Sequence, residues 1–163
     1  MKKKIWIGVI CGVVALIIGI TIGFFKGDKN TEIETIENSE IITYFSNIEQ
    51  TEKFSIHIPQ EHNKDIFVSL NTANMDTQNY RFKHVGSGET LFILMVYKKG
   101  VEPTGDNIEK LKETDDFVYY WWQSNENANI ADETIKEEFV EMQRYYKAIK
   151  NSFEVKTMKK EGE

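Results

Sequence analysis

The first pattern along the chain is an unbroken apolar one. Residues 5–25, IWIGVICGVVALIIGITIGFF, carry no charge, and Thr21 is the only polar side chain among them. A helix of these 21 residues rises about 31 Å, the thickness of one hydrocarbon core. A helix buried in a water-soluble protein would show a polar stripe every third or fourth position, and none is present. The run exceeds a signal-peptide core and no small-residue cleavage site follows it, so the pattern predicts an uncleaved transmembrane anchor. Lys2, Lys3 and Lys4 place the tail of residues 1–4 in the cytoplasm and the rest of the chain outside.

Residues 26–40 turn polar and charged, which predicts a solvated tether. Ile33 and Ile36 stand three apart and leave a juxtamembrane helix as the alternative. Strand patterns begin at IITYF (41–45). In 53–58, Phe54, Ile56 and Ile58 point one way and Lys53, Ser55 and His57 the other, until Pro59 stops the strand. Residues 65–70 turn Ile66, Val68 and Leu70 inward, and Tyr80 and Phe82 alternate with Arg81 and Lys83. After the turn Gly86-Ser87-Gly88, LFILMVY (91–97) and FVYYWW (117–122) are apolar on both faces, as central strands covered on both sides would be.

Between those two strands, Asp106 and Glu109 have the spacing of a capping box, which predicts a short helix to about Thr114. A polar loop, 123–131, leads to Ile135, Phe139, Met142, Tyr146, Ile149 and Phe153, one helical stripe at spacings of three and four. The fold class expected is therefore α+β. A single N-terminal transmembrane helix precedes one domain, residues 41–155, whose mostly antiparallel sheet is covered by a long C-terminal helix and a short one; residues 156–163 form a charged tail.

Charge sharpens this picture. Three of the 20 Lys and Arg precede the span, so 17 face all 26 Asp and Glu beyond it, a formal −9. That balance argues against nucleic acid and against flat adhesion to anionic lipid. Cys11, the only cysteine, sits inside the apolar run, so the exposed part has no disulfide framework and no thiol chemistry. Its fold must rest on its core, which about 115 residues can supply.

The strand KFSIHIP, the strands LFILMVY and FVYYWW and a closing helix that ends in IKNSFEV resemble the membrane-anchored or secreted single-domain proteins of Gram-positive bacteria with a PsbP-like fold. The resemblance spans roughly residues 41–155. It implies an antiparallel sheet with helices on its faces, brings no catalytic residues, and does not account for the Asn-rich segment 123–131.

Candidate chemistry is sparse. Asn125, Asn127 and Asn129 imitate the start of a calcium loop, but Ile130 and Lys136 stand where its glycine and glutamate belong. His57 and His62 with Glu61 lack the helical spacing of a zinc pair, and His84 has no partner in sequence. Asp115-Asp116 and Glu137-Glu138 diverge as neighbours on a strand or helix must. Ser87 lacks a nucleophile context, and its turn lacks the residues of a phosphate cradle. No cofactor or metal is expected.

Aromatic rings on a sheet face can instead stack on sugars or apolar peptides, which makes Tyr120 and Trp122 the partner-binding candidates, with Asn125 and Asn127 beside them. The competing reading of FVYYWW is core. The function expected is a membrane-tethered extracytoplasmic binding or accessory domain of the cell envelope. Its partners are the bilayer, through residues 5–25, and an envelope protein or wall polymer. The alternative is an envelope hydrolase acting on wall polymer through acidic residues.

Overall fold

The structure, a computed structural model, describes residues 31–46, 50–74, 76–125 and 129–158. The expected anchor at 5–25 lies outside them, as does Asn127. Among the described residues no helix is long and apolar enough to cross a membrane.

Among the described residues eight strands form two sheets, each antiparallel at every pairing. The smaller sheet holds β1 (Ser39–Phe45), β2 (Glu52–Pro59) and β8 (Glu154–Thr157), with β2 in the middle. The larger runs in the order β3 (Ile66–Asn74), β4 (Thr77–His84), β5 (Thr90–Lys98), β7 (Phe117–Gln123) and β6 (Glu109–Glu113). A 3-10 turn, Gln60–His62, follows β2, and a bent helix made of α1 (Glu133–Gln143) and α2 (Tyr146–Asn151) precedes β8.

The core lies where the small sheet and the bent helix meet one face of the large sheet. Phe54, Ile56 and Ile58 of β2 are fully buried, as their alternation requires. Phe54 and Tyr44 contact Tyr80 at ring distances of 4.9 and 5.0 Å, while Phe92 stacks between Phe82 and Trp121 at 4.4 Å on each side. The helix meets the same face through Phe139 against His84 and Tyr146 against Phe92.

The expected α+β class is thus corrected to a mostly antiparallel β architecture of two sheets with one bent helix. Alternation shows that a strand has an inside, but not which strands share hydrogen bonds. β2 bonds β1 on one side and the last strand, β8, on the other, and neither β1 nor β2 bonds β3. The short helix expected from Asp106 is the edge strand β6. Asn107 takes φ 60°, outside the helical region, just after Gly105 at φ 131°, and EKLKE then pairs with β7.

The long helix is two segments. At the bend the amides of Arg144 and Tyr145 bond to residues three back, which tightens the turn and frees the Arg144 carbonyl to accept the Ile33 amide at 2.8 Å. Phe153, read as the last member of the stripe, lies beyond the helix, yet its ring still packs on Tyr119 and Phe54. Residues 32–38, within the stretch read as a tether, are laid along this bend. Lys147 bonds Glu34 at 2.8 Å, and Ile36 packs against the core.

Candidate functional site

Register assigns every side chain of the large sheet to a face. Tyr80, Phe82, Phe92, Leu94, Val96, Phe117, Tyr119 and Trp121 share the inner face and are all buried. The outer face carries the alternate residues. One row across it reads Arg81, Ile93, Trp122; the next reads Asn79, Met95, Tyr120, Lys110; a third holds Tyr97, Val118 and Glu113. Both expected central strands are central, and among the described residues only their inner side is covered. The small sheet and the bent helix both lie against the inner face, so no described strand or helix lies over the outer one.

On that outer face Met95 and Val118, 6 and 5 % exposed, form a floor, while Ile93, Tyr97, Tyr120 and Trp122 are half-buried. Tyr97 and Tyr120 meet edge to face with ring centres 5.9 Å apart. Toward β6, Lys110 bonds Glu113, and Lys99 lies 2.9 Å from the same carboxylate. The two together hold Glu113 down to about 2. Burial, followed by Glu102, raises the Tyr120 hydroxyl. Toward β3 the charges are different. Lys83 Nζ sits 5.6 Å over the Phe67 ring, and neither it nor the exposed Arg81 has an acidic partner among the described residues. Asn79 Oδ1, also on this face, is a buried acceptor without a donor among the described residues.

Tyr120 and Trp122 therefore stand together on the outer face. Asn125 does not join them. It is exposed, and its Oδ1 accepts from Gln123 Nε2 at 3.2 Å, while Gln123 in turn accepts the Trp121 indole N–H at 2.9 Å on the inner side. Sequence reasoning missed Ile93, Tyr97, Arg81 and Lys83 as members of this face. Their alternation was visible, but only the cross-strand register aligns Arg81 with Trp122.

Three other places gather polar side chains. His84, 1 % exposed, has Nδ1 3.1 Å from Ser87 Oγ and Nε2 3.8 Å from Glu138, an order that imitates nucleophile, base and orienting acid. The arrangement locks a turn instead. Ser87 Oγ also accepts the Glu89 amide, and a Cβ on Gly86 would meet His84 at 3.1 Å and Ile135 at 3.3 Å, so no substrate fits over the ring. Burial lowers the His84 pKa, against the pull of Glu138 and Asp65.

Glu52, 2 % exposed, accepts from the hydroxyls of Tyr119 at 2.7 Å and Thr114 at 3.1 Å, and Ser46 bonds the Tyr119 hydroxyl at 2.6 Å. Burial first of all raises the Tyr119 pKa, so this phenol keeps its proton and donates it to the carboxylate. The network ties the start of β2 to the large sheet. Lastly, an open groove of about 600 Å³ runs between residues 33–38, residues 59–61 and Tyr145, whose hydroxyl donates to Glu61 at 2.6 Å. No set of three His, Cys, Asp or Glu side chains among the described residues is placed to hold a metal ion.

No family model, curated protein or solved structure matches the chain, and nothing in these comparisons bears on the PsbP-like resemblance.

Proposed function

We propose that this protein is a membrane-tethered, extracytoplasmic binding domain of the cell envelope that receives its partner on the outer face of the five-stranded sheet. The observation that carries this reading is the row-by-row set of Ile93, Tyr97, Tyr120 and Trp122, half-buried side chains on a face that no other described element covers. A fold that needed them only for packing would bury them as fully as their inner-face neighbours. Large amphipathic rings on an open face supply contact area to a partner at low entropic cost. The tether and the outward orientation rest on residues 5–25 and the three lysines before them.

The hydrolase alternative draws less support. A glycosidase needs two carboxyls facing one substrate, one of them kept protonated by burial. In the open groove the Glu61 side chain is 66 % exposed and already accepts the Tyr145 hydroxyl.

The test uses full-length protein in a neutral detergent, passed over immobilised envelope material from its own cells. Wild type should be retained, and Trp122→Ala and Tyr120→Ala should elute early with melting midpoints only slightly lowered, while Asn125→Ala behaves as wild type. Equal retention of all four would overturn the reading. Orientation is checked separately by protease on intact, wall-stripped cells, which should digest residues 41–155 and leave the tail inside.

A further inference from the structure

We infer that the ligand of the outer face is a glycan whose sugar rings carry isolated carboxylates. The inference rests on the binding role proposed for that face and adds the chemistry of the occupant. Trp122 and Tyr120 point the same way from one strand, two residues and about 6.8 Å apart, a spacing that lets two flat rings meet successive parts of an extended chain. The apolar C–H face of a sugar ring is flat and stacks on such rings.

Charge narrows the class. Arg81 lies in the same row as Trp122 with Ile93 between them, two strands or roughly 10 Å away, and Lys83 follows on the same strand. Both are donors only, and neither meets an acidic group among the described residues. A guanidinium in that setting is matched to a planar carboxylate, which it can grip with two parallel hydrogen bonds.

The rest of the molecule sets the opposite limit. Beyond the apolar run the chain carries a formal −9, and at the β6 side of the face Glu113 already holds Lys110 and Lys99 while Glu102 acts on Tyr120. That field repels a polymer with a charge on every unit and tolerates one whose charges are spaced. The ligand is thus apolar over Trp122 and Tyr120 and anionic where it passes Arg81 and Lys83.

Calorimetry on the full-length protein in neutral detergent tests this with three defined probes. They are a hyaluronan octasaccharide with one carboxylate per disaccharide, a chitin oligosaccharide of equal length and no charge, and polyphosphate with a charge on every unit. Hyaluronan should bind at least tenfold more tightly than chitin, and polyphosphate should not bind. The double variant Arg81→Glu, Lys83→Glu should bring hyaluronan to the chitin level, and Trp122→Ala should weaken both glycans while circular dichroism shows only a slightly lowered melt. Equal binding of the two glycans, or tightest binding of polyphosphate, overturns the carboxylate assignment. If neither glycan binds while envelope material still retains the wild type through Trp122, the glycan falls and the binding face stands. If Trp122→Ala changes neither glycan binding nor retention, both readings fall.

Discussion

Trp121 and Trp122 are neighbours in sequence and opposites in circumstance. Trp121 turns inward, is stacked on Phe92 and has its indole N–H satisfied by Gln123; Trp122 turns outward beside Ile93 and stays half-buried. The same contrast holds along the whole large sheet. Its inner face is sealed by Phe54 and Tyr44 from the small sheet and by Phe139 and Tyr146 from the helix, whereas its outer face buries only Met95 and Val118 among its apolar residues on β5 and β7. Hydrophobicity on a strand therefore reports that a side chain could be buried, and the layer count decides whether it is. The apolar side chains left over on the outer face are what a partner can use.

The widest separation between the two faces should appear on removing an inner ring. Trp121→Ala and Phe139→Ala each empty a fully packed site, and such truncations cost about 3 to 5 kcal/mol. Chemical unfolding of the full-length protein in neutral detergent would read the loss as a lower midpoint. A midpoint within error of wild type for either would mean that the inner face is not the core.

A smaller effect is expected where the inner face ends in polar contacts. Glu52→Ala leaves the hydroxyls of Tyr119 and Thr114 without their acceptor, and hydrogen bonds to a charged group are worth about 1.5 to 3 kcal/mol each way of counting. Glu52→Gln keeps an acceptor oxygen in place and should recover much of the loss. Equal midpoints for Ala and Gln would show that the carboxylate's contacts contribute nothing.

The two faces were not equally legible in the sequence. β2 could be read residue by residue, because a half-buried strand writes its inside and outside as alternation, and Phe54, Ile56 and Ile58 are inside. The bent helix was legible as a stripe, since Phe139, Met142, Tyr146 and Ile149 are all buried, but its break at Arg144 has no proline or glycine to announce it. β5 and β7 read as covered on both sides, whereas the described elements cover only the inner side, because a half-buried apolar residue on an outer face has the same identity as one in the core. The capping-box spacing at Asp106 was a local signal that lost to pairing with β7. Arg81 looked like the solvent side of an ordinary strand, and only register places it in line with Trp122.

Acid sharpens the comparison at the rim of the inner face. Burial depresses the His84 pKa below 6.5, so the unfolded chain takes up the proton more readily than the folded one. Stability contributed by the neutral imidazole is complete above about pH 6.5 and falls as the pH drops through that value toward the depressed folded pKa. Glu138, Asp65 and His62 are the groups that act on it. The two carboxylates favour the charged ring and oppose the loss, and burial outweighs them. Unfolding midpoints measured between pH 7.5 and 5.5 should decline for wild type and decline further for Glu138→Gln. A slope unchanged in His84→Asn would place the acid sensitivity elsewhere.

The smallest expected change in stability is the one that decides most. Trp122→Ala removes a ring of the same size as Trp121→Ala, from the same strand, one residue away, so composition, strand propensity and backbone context are held nearly constant. What differs is the cover: the inner ring is buried and stacked on Phe92, and the outer one borders Ile93 on a face with no described layer above it. Surface truncations away from packed sites shift stability by about 0.5 kcal/mol, and the half-buried part of the indole raises that to about 1 kcal/mol here. If Trp122→Ala instead lowers the unfolding midpoint as far as Trp121→Ala, something covers the outer face in the intact protein. Its aromatic rows are then core, and the face is not open to a ligand.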